Sequence, residues 1–238
     1  MKNAKATKTE RRARRKGRER RRDDQPSLRV LGGTMAPEDI GRVMAAMGRF
    51  DPGAAWPEVA PLIVPVLKRL HHPFPPEASP IHITVPPGIS TGFGIDLGPA
   101  FTHVTAALAD GWGVDHATLL GTSLENLRRL VVDEPPVVQL MHRDGAEIVA
   151  VSGQGWGSSL LLLPEALGPI LGTRPRLLLA PIRNTMLALP DDADLETVLT
   201  LWAILADGAR DELDVAPMRW TGQSVVALGD ELSQGLPN

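Results

Sequence analysis

The sequence predicts an α+β fold, with a mixed or largely antiparallel sheet, packed helices and a disordered basic N-terminal tail. Three observations predict it. Pairs of strand-like runs are separated by helical runs without regular single β–α alternation. The 238 residues are 43% hydrophobic and 22% charged, with 23 glycines and 22 prolines to make turns, a globular composition long enough to bury a real core. The charge is also split: residues 1–24 carry 12 Lys or Arg against four acids, so this segment is +8 and residues 25–238 are −11. The expected division is a tail over 1–28 and one α+β domain over 29–238.

In the tail, Arg11, Arg12, Arg14, Arg15, Lys16, Arg18, Arg20, Arg21 and Arg22 leave no apolar face to bury, which predicts disorder or a transient helix. These residues are candidates for salt-sensitive, sequence-independent contact with RNA, the ribosome or another anionic surface, and a solvated leader is the alternative. No aromatic residue is interleaved for base stacking. If Met35 is the true start, the tail is absent altogether.

In chain order, Ile40, Val43, Met44, Met47 and Phe50 recur at helical spacing behind Pro37, predicting a helix closed by Asp51-Pro52-Gly53. From Trp56 a helix is expected to give way to an extended piece at Ile63–Leu67, because Pro61 and Pro65 remove donors. Residues 71–87 hold six prolines and read as a surface connection, with one edge strand at Ile81–Val85. Gly92–Leu97 and Phe101–Thr105 read as strands around Gly98-Pro99, followed by a short helical stretch closed by Trp112-Gly113. Asp115 is the expected N-cap of the clearest helix, Asp115–Val131, whose Leu120, Leu124 and Leu127 are expected in the core. Val137–Met141 and Glu147–Ser152 flank Asp144-Gly145, a strong hairpin signal. A glycine loop then leads to a helix at Leu160–Ile170, a hairpin at Arg176–Pro181 and Thr185–Leu189, a helix at Leu195–Glu212 capped from the 191–194 aspartates, and a last strand at Ser224–Leu228.

Several function classes are excluded or unsupported. The absence of cysteine removes disulfide scaffolds, thiolate zinc sites, iron–sulfur clusters and cysteine nucleophiles. The six histidines form no ligand pattern, so no metal site and no cofactor is expected. The most apolar run, Leu160–Leu163, stops at Pro164, far short of the ~18 residues of a membrane span. Neither a secretory nor a transit signal is visible, and a cytoplasmic location is expected.

Two places could carry chemistry. Gly153-Gln154-Gly155-Trp156-Gly157-Ser158-Ser159 joins a strand to a helix, where backbone amides can hold an anion, although no Walker lysine follows and Ser158 or Ser159 could simply cap the helix. Arg183 and Asn184 occupy a turn that is expected to lie beside this loop, the alternative being that Arg183 projects from a hairpin tip and Trp156 fills the core. The candidate ligand residues are Asp96, Asn126, Trp156, Ser159, Arg183 and Asn184, with an anionic small molecule as their ligand. Three readings stand: a non-catalytic binding or interaction domain, a hydrolase or transferase acting on an anionic or phosphorylated small molecule, and an RNA- or ribosome-associated factor acting through the tail.

The runs Phe93-Gly94-Ile95-Asp96-Leu97-Gly98, Trp112-Gly113, Glu125-Asn126-Leu127-Arg128-Arg129-Leu130, Gly155-Trp156-Gly157-Ser158-Ser159-Leu160-Leu161-Leu162 and Ala180-Pro181-Ile182-Arg183-Asn184 resemble, in their order, segments of the YtpQ-like bacterial proteins of unknown function. Val64-Pro65-Val66-Leu67-Lys68 is similar to an earlier element of that family, and the likeness spans roughly residues 56–202. Gln154-Gly155-Trp156 stands where the family tends to have Asp-Gly-Tyr, and Arg183-Asn184 where it tends to have Arg-Asp. The resemblance implies a bacterial intracellular α+β protein and supplies no reaction.

Overall fold

A computed structural model describes residues 37–69, 79–98, 100–143, 145–207, 209 and 212–228. The chain divides into Met1–Gly33 and Thr34–Asn238. The expected tail, with all nine of its candidate basic residues, lies outside the described residues. The second unit is α+β, and both of its sheets are antiparallel throughout.

The unit opens with α1 (Pro37–Met47), a four-residue α2 (Trp56–Val59) and a 3-10 turn at Ala60–Leu62. The turn ends where Ile63 becomes extended, and β1 (Ile63–Leu67) follows, buried at every position. β2 (His82–Val85) and β3 (Ile89–Asp96) form a hairpin whose turn holds a cis Pro86-Pro87 bond and Gly88 at φ 108°. β3 is the spine of the small sheet. It pairs with β1 along one side, and with β2 and then β4 (Phe101–His103) along the other. Its extension back to Ile89, beyond the expected Gly92 start, comes from this pairing, since Ser90 and Ile89 lie opposite Thr84 and Val85.

α3 (Ala106–Trp112) is capped by Thr105 and ends on Gly113 in the left-handed region at φ 67°, which glycine adopts without steric cost. α4 (His116–Asp133) starts at Asp115, whose carboxylate accepts from Thr118 N at 2.7 Å. Its inward stripe is Leu119, Ser123, Asn126 and Leu127, so the expectation of buried Leu120 and Leu124 needs correction: both are half-buried. The helix is rotated so that Asn126 donates to Ala60 O and Ile63 O, each at 2.7 Å. These bonds satisfy carbonyls at the junction of the 3-10 turn and β1, and buried carbonyls need such partners.

The large sheet runs β10-β9-β7-β8-β6-β5. β5 (Val137–Arg143) and β6 (Ala146–Ser152) form the hairpin signalled by Asp144-Gly145, and Gly145 has φ 83°. The single helix expected at Leu160–Ile170 is two elements, a 3-10 helix at Gly157–Leu162 and α5 (Pro164–Leu171), because Pro164 cannot continue a helix but suits the start of one. β7 (Arg176–Ile182) and β8 (Thr185–Pro190) pair across the Arg183-Asn184 turn. α6 (Leu195–Ala206) has Asp194 as its N-cap and stops short of the expected Glu212, because Glu212 and Leu213 bridge to Ile182 and Arg69 instead. β9 (Met218–Trp220), not anticipated from three residues of sequence, and β10 (Val225–Ala227) complete the sheet.

Two cores result. One gathers Val149, Val151, Trp156, Leu160, Leu161, Leu178, Met186, Met218 and Trp220 with Leu127. The other gathers Val59, Ile63, Phe93, Ile95, Val104 and Leu119.

The capping carboxylates give a pH dependence of known sign. The backbone N–H of Thr118, and then its hydroxyl, hold Asp115 below the usual carboxylate range, and Thr197 does the same to Asp194. A pKa depressed in the folded state means stability that is present above the unfolded value and lost as pH falls through the folded one. The melting temperature of the wild type should therefore fall more steeply below about pH 4 than that of D115N/D194N, whose caps do not titrate. Parallel acid profiles would refute this.

Candidate functional site

The site is built where the loop after β6 meets the turn between β7 and β8. Gly153 N donates to Asn184 O (3.0 Å), Ser158 N to Arg183 O (3.0 Å), and Gly155 N to Asn184 Oδ1 (2.9 Å). Ser158 Oγ adds a second bond to Arg183 O at 2.8 Å. Such close approach requires Gly157, since a Cβ there would lie 2.2 Å from Asn184 O.

This network corrects the reading of the loop as an anion cradle. Trp156 N and Gly157 N donate to Gly153 O and Ser159 N donates to Trp156 O, so the amides from 155 to 159, like that of Gly153, are already used within the chain. An anion at this loop would have to displace bonds that fold it. The serines are not caps either: Ser159 is fully buried and donates its hydroxyl to Pro65 O at 3.0 Å, tying the 3-10 helix to β1.

Beside the loop lies a cavity of about 560 Å³ between the two sheets. The small sheet contributes Val64, Asp96, Gly98, Ala100 and Phe101; α4 and its C-cap contribute Leu130 and Glu134; the large sheet contributes Gln154, Gly155, Trp156, Arg183 and Asn184. Four of the six residues singled out in the sequence thus line one space, although they are widely separated along the chain. Asn126 lines an adjoining cavity of about 330 Å³ that shares Val64, Asp96, Gly98 and Leu130 with the first, and its amide is committed to the backbone and to Arg129. Ser159 lines neither.

Phe101 is a residue that sequence reasoning missed as part of this site. Its ring lies across Gly94, where any Cβ would fall 1.6 Å from Cζ, and the Arg183 guanidinium carbon stands 4.4 Å from the ring centroid. That is a cation–π contact, which orients the guanidinium without consuming its hydrogen-bond capacity. The register partner of Phe101 in β3 is Asp96, two residues beyond Gly94, so no local pattern in the sequence marks the contact. Trp156 is 3% exposed, and its indole Nε1–H is buried without a hydrogen-bond partner, a costly condition for a donor. Asp96 accepts from Gly98 N at 2.8 Å, which closes the turn beneath the cavity.

The described lining residues include no serine, threonine, histidine or lysine, so the groups there that could act as base or nucleophile are the carboxylates of Asp96 and Glu134. Among the described residues no group of three or more His, Asp or Glu stands where it could hold a metal ion, and no helix is long and apolar enough to cross a membrane. What the arrangement offers is a fixed cation, side-chain amides, an aromatic wall and, from Asp96 and Glu134, negative charge. The fold and site together define an α+β protein of two antiparallel sheets with a mixed-charge cavity between them. Comparisons with protein-family models, curated proteins and solved structures find no match to this chain.

Proposed function

We propose that this protein is a non-catalytic binding domain whose ligand lodges in the cavity between the sheets. The observation that carries the reading is the meeting of Asp96, Trp156, Arg183 and Asn184 on that one cavity. A concave space that presents a fixed cation, side-chain amides and an aromatic wall is how proteins hold small molecules, and its two carboxylates, Asp96 and Glu134, have no serine, threonine, histidine or lysine beside them on the described lining to complete a catalytic pair.

The ligand is a small molecule bearing an anionic group, carboxylate or phosphate, directed at Arg183. Because Asp96 and Glu134 line the same cavity, a ligand that also carries an amine is favoured over a simple dianion. The reading places the protein in a bacterial cytoplasm alongside the YtpQ-like proteins, supported by the order of the shared short motifs.

The test is titration with phosphate, sulfate, nucleotides and free amino acids, followed by tryptophan fluorescence, since Trp156 forms part of the wall. Saturable binding is expected, with Arg183→Ala weakening it roughly 10- to 100-fold, the value of one charge-assisted contact of about 1.5–3 kcal/mol. No saturable signal from any probe at millimolar concentration, or equal binding by Arg183→Ala, would overturn the reading.

A further inference from the structure

The charges lining the cavity do not balance. Among the described lining residues Arg183 is the one cation, against two carboxylates, Asp96 and Glu134. The adjoining cavity shares Asp96 and adds Arg129 and Asp133, so acids outnumber cations by one with or without it. None of these three acids forms a salt bridge with any described residue. Asp96 is half-buried, and Gly98 N engages only its Oδ1.

The two carboxylates differ in where they stand relative to Arg183. Asp96 and Phe101 are register partners in β3 and β4, so their side chains leave the same face of the small sheet. Arg183 lies over the Phe101 ring. A carboxylate and a guanidinium thus stand beside one ring, which suits the ammonium and carboxylate that an α-amino acid carries on a single carbon. Glu134 comes from a different element, the C-cap of α4, and is exposed. It is left for a second cation farther along the ligand.

We propose that the ligand is a basic amino acid, with its carboxylate on Arg183, its α-ammonium on Asp96 and its side-chain ammonium or guanidinium on Glu134. This rests on the binding reading above and narrows its ligand from any amine-bearing anion to one of net positive charge. An acidic amino acid would set its second carboxylate against Glu134, and like charges brought together select against a ligand.

Calorimetric titration of the full chain should compare L-lysine, L-ornithine and L-arginine with L-norleucine, which is lysine without its terminal ammonium, and with L-glutamate. At least one basic amino acid should bind roughly 10-fold or more tightly than norleucine, the worth of one charge-assisted contact, and glutamate should bind most weakly. Glu134→Gln should bring the basic amino acid down to the level of norleucine while leaving norleucine itself unchanged, whereas Arg183→Ala should weaken both alike. Norleucine or glutamate binding as tightly as every basic amino acid, or a preference that survives Glu134→Gln, would overturn the assignment and leave binding in the cavity standing. So would silence from all the amino acids while phosphate or a nucleotide binds in an Arg183-dependent way. Silence from every probe would overturn both. Should Glu134→Gln not fold, the ranking on the wild type decides the question.

Discussion

Phe93→Ala is expected to lower stability by about 3–5 kcal/mol, the largest loss from any single truncation in the small sheet. The reason is its place rather than its size alone. Phe93 is fully buried at the middle of β3, the strand that carries every other strand of its sheet. Its neighbours in the core come from four other places in the chain, with Val59, Ile63, Val104 and Leu119 among them. Its carbonyl also accepts from Val104 N at 2.9 Å, fixing the end of β4. Removing the ring empties a space that these elements enclose from several directions, and a backbone held by pairing on both sides cannot collapse into it. Urea unfolding should show a lower midpoint with little change in slope. A loss under about 1 kcal/mol would mean that this core is loosely packed. The same logic ranks the helix: Leu127→Ala should cost clearly more than Leu124→Ala, since only Leu127 is fully enclosed.

Gly157→Ala is expected to disable the site along with the local fold. The added methyl would meet Asn184 O at 2.2 Å and Asn184 C at 2.8 Å. Both are backbone atoms, so no side-chain rotation relieves the clash and the Arg183-Asn184 turn must retreat. Overpacking of this kind costs about 1–3 kcal/mol or more. The retreat also strains the bonds from Gly153 N, Gly155 N and Ser158 N that hold the turn to the loop. Arg183 and Asn184 would leave their positions on the cavity wall, so ligand binding should fall by more than the stability loss accounts for. Gly121→Ala is the matching control: Gly121 lies within α4 with no heavy atom within 4 Å of its would-be Cβ, and the change should stabilise by about 0.5–1 kcal/mol. If Gly157→Ala retained wild-type melting and binding, the described approach of loop and turn would be wrong.

Much of the architecture was legible because it is written in short-range signals. Asp115 announced α4, Asp194 announced α6, Asp144-Gly145 announced the β5–β6 hairpin, and Pro61 and Pro65 announced the extended piece at Ile63–Leu67. In each case the physical cause lies within a few residues: a side-chain oxygen reaching an amide three positions on, or a turn conformation that few residues tolerate. The errors arose where a distant partner outweighed the local pattern. α6 ends at Ala206 because the chain from Glu212 is drawn into bridges with Ile182 and Arg69. β9 exists because β7 and β10 flank it. Leu124 is half-buried because Asn126 turns the helix toward the carbonyls of Ala60 and Ile63.

By itself, then, the sequence determined the class of the fold, the starts of α4 and α6, the β5–β6 and β7–β8 hairpins and the bipolar distribution of charge. The tertiary structure decided what the candidate residues can do. It used up the amides of the glycine loop, buried Ser159 against Pro65 and committed Asn126 to β1. It brought Phe101 beneath Arg183, and left Asp96, Trp156, Arg183 and Asn184 around one cavity. Period and spacing specify which way a side chain leaves its own strand or helix, whereas a site is made of distances between strands, and those follow from packing two sheets and the helices that cover them around shared cores.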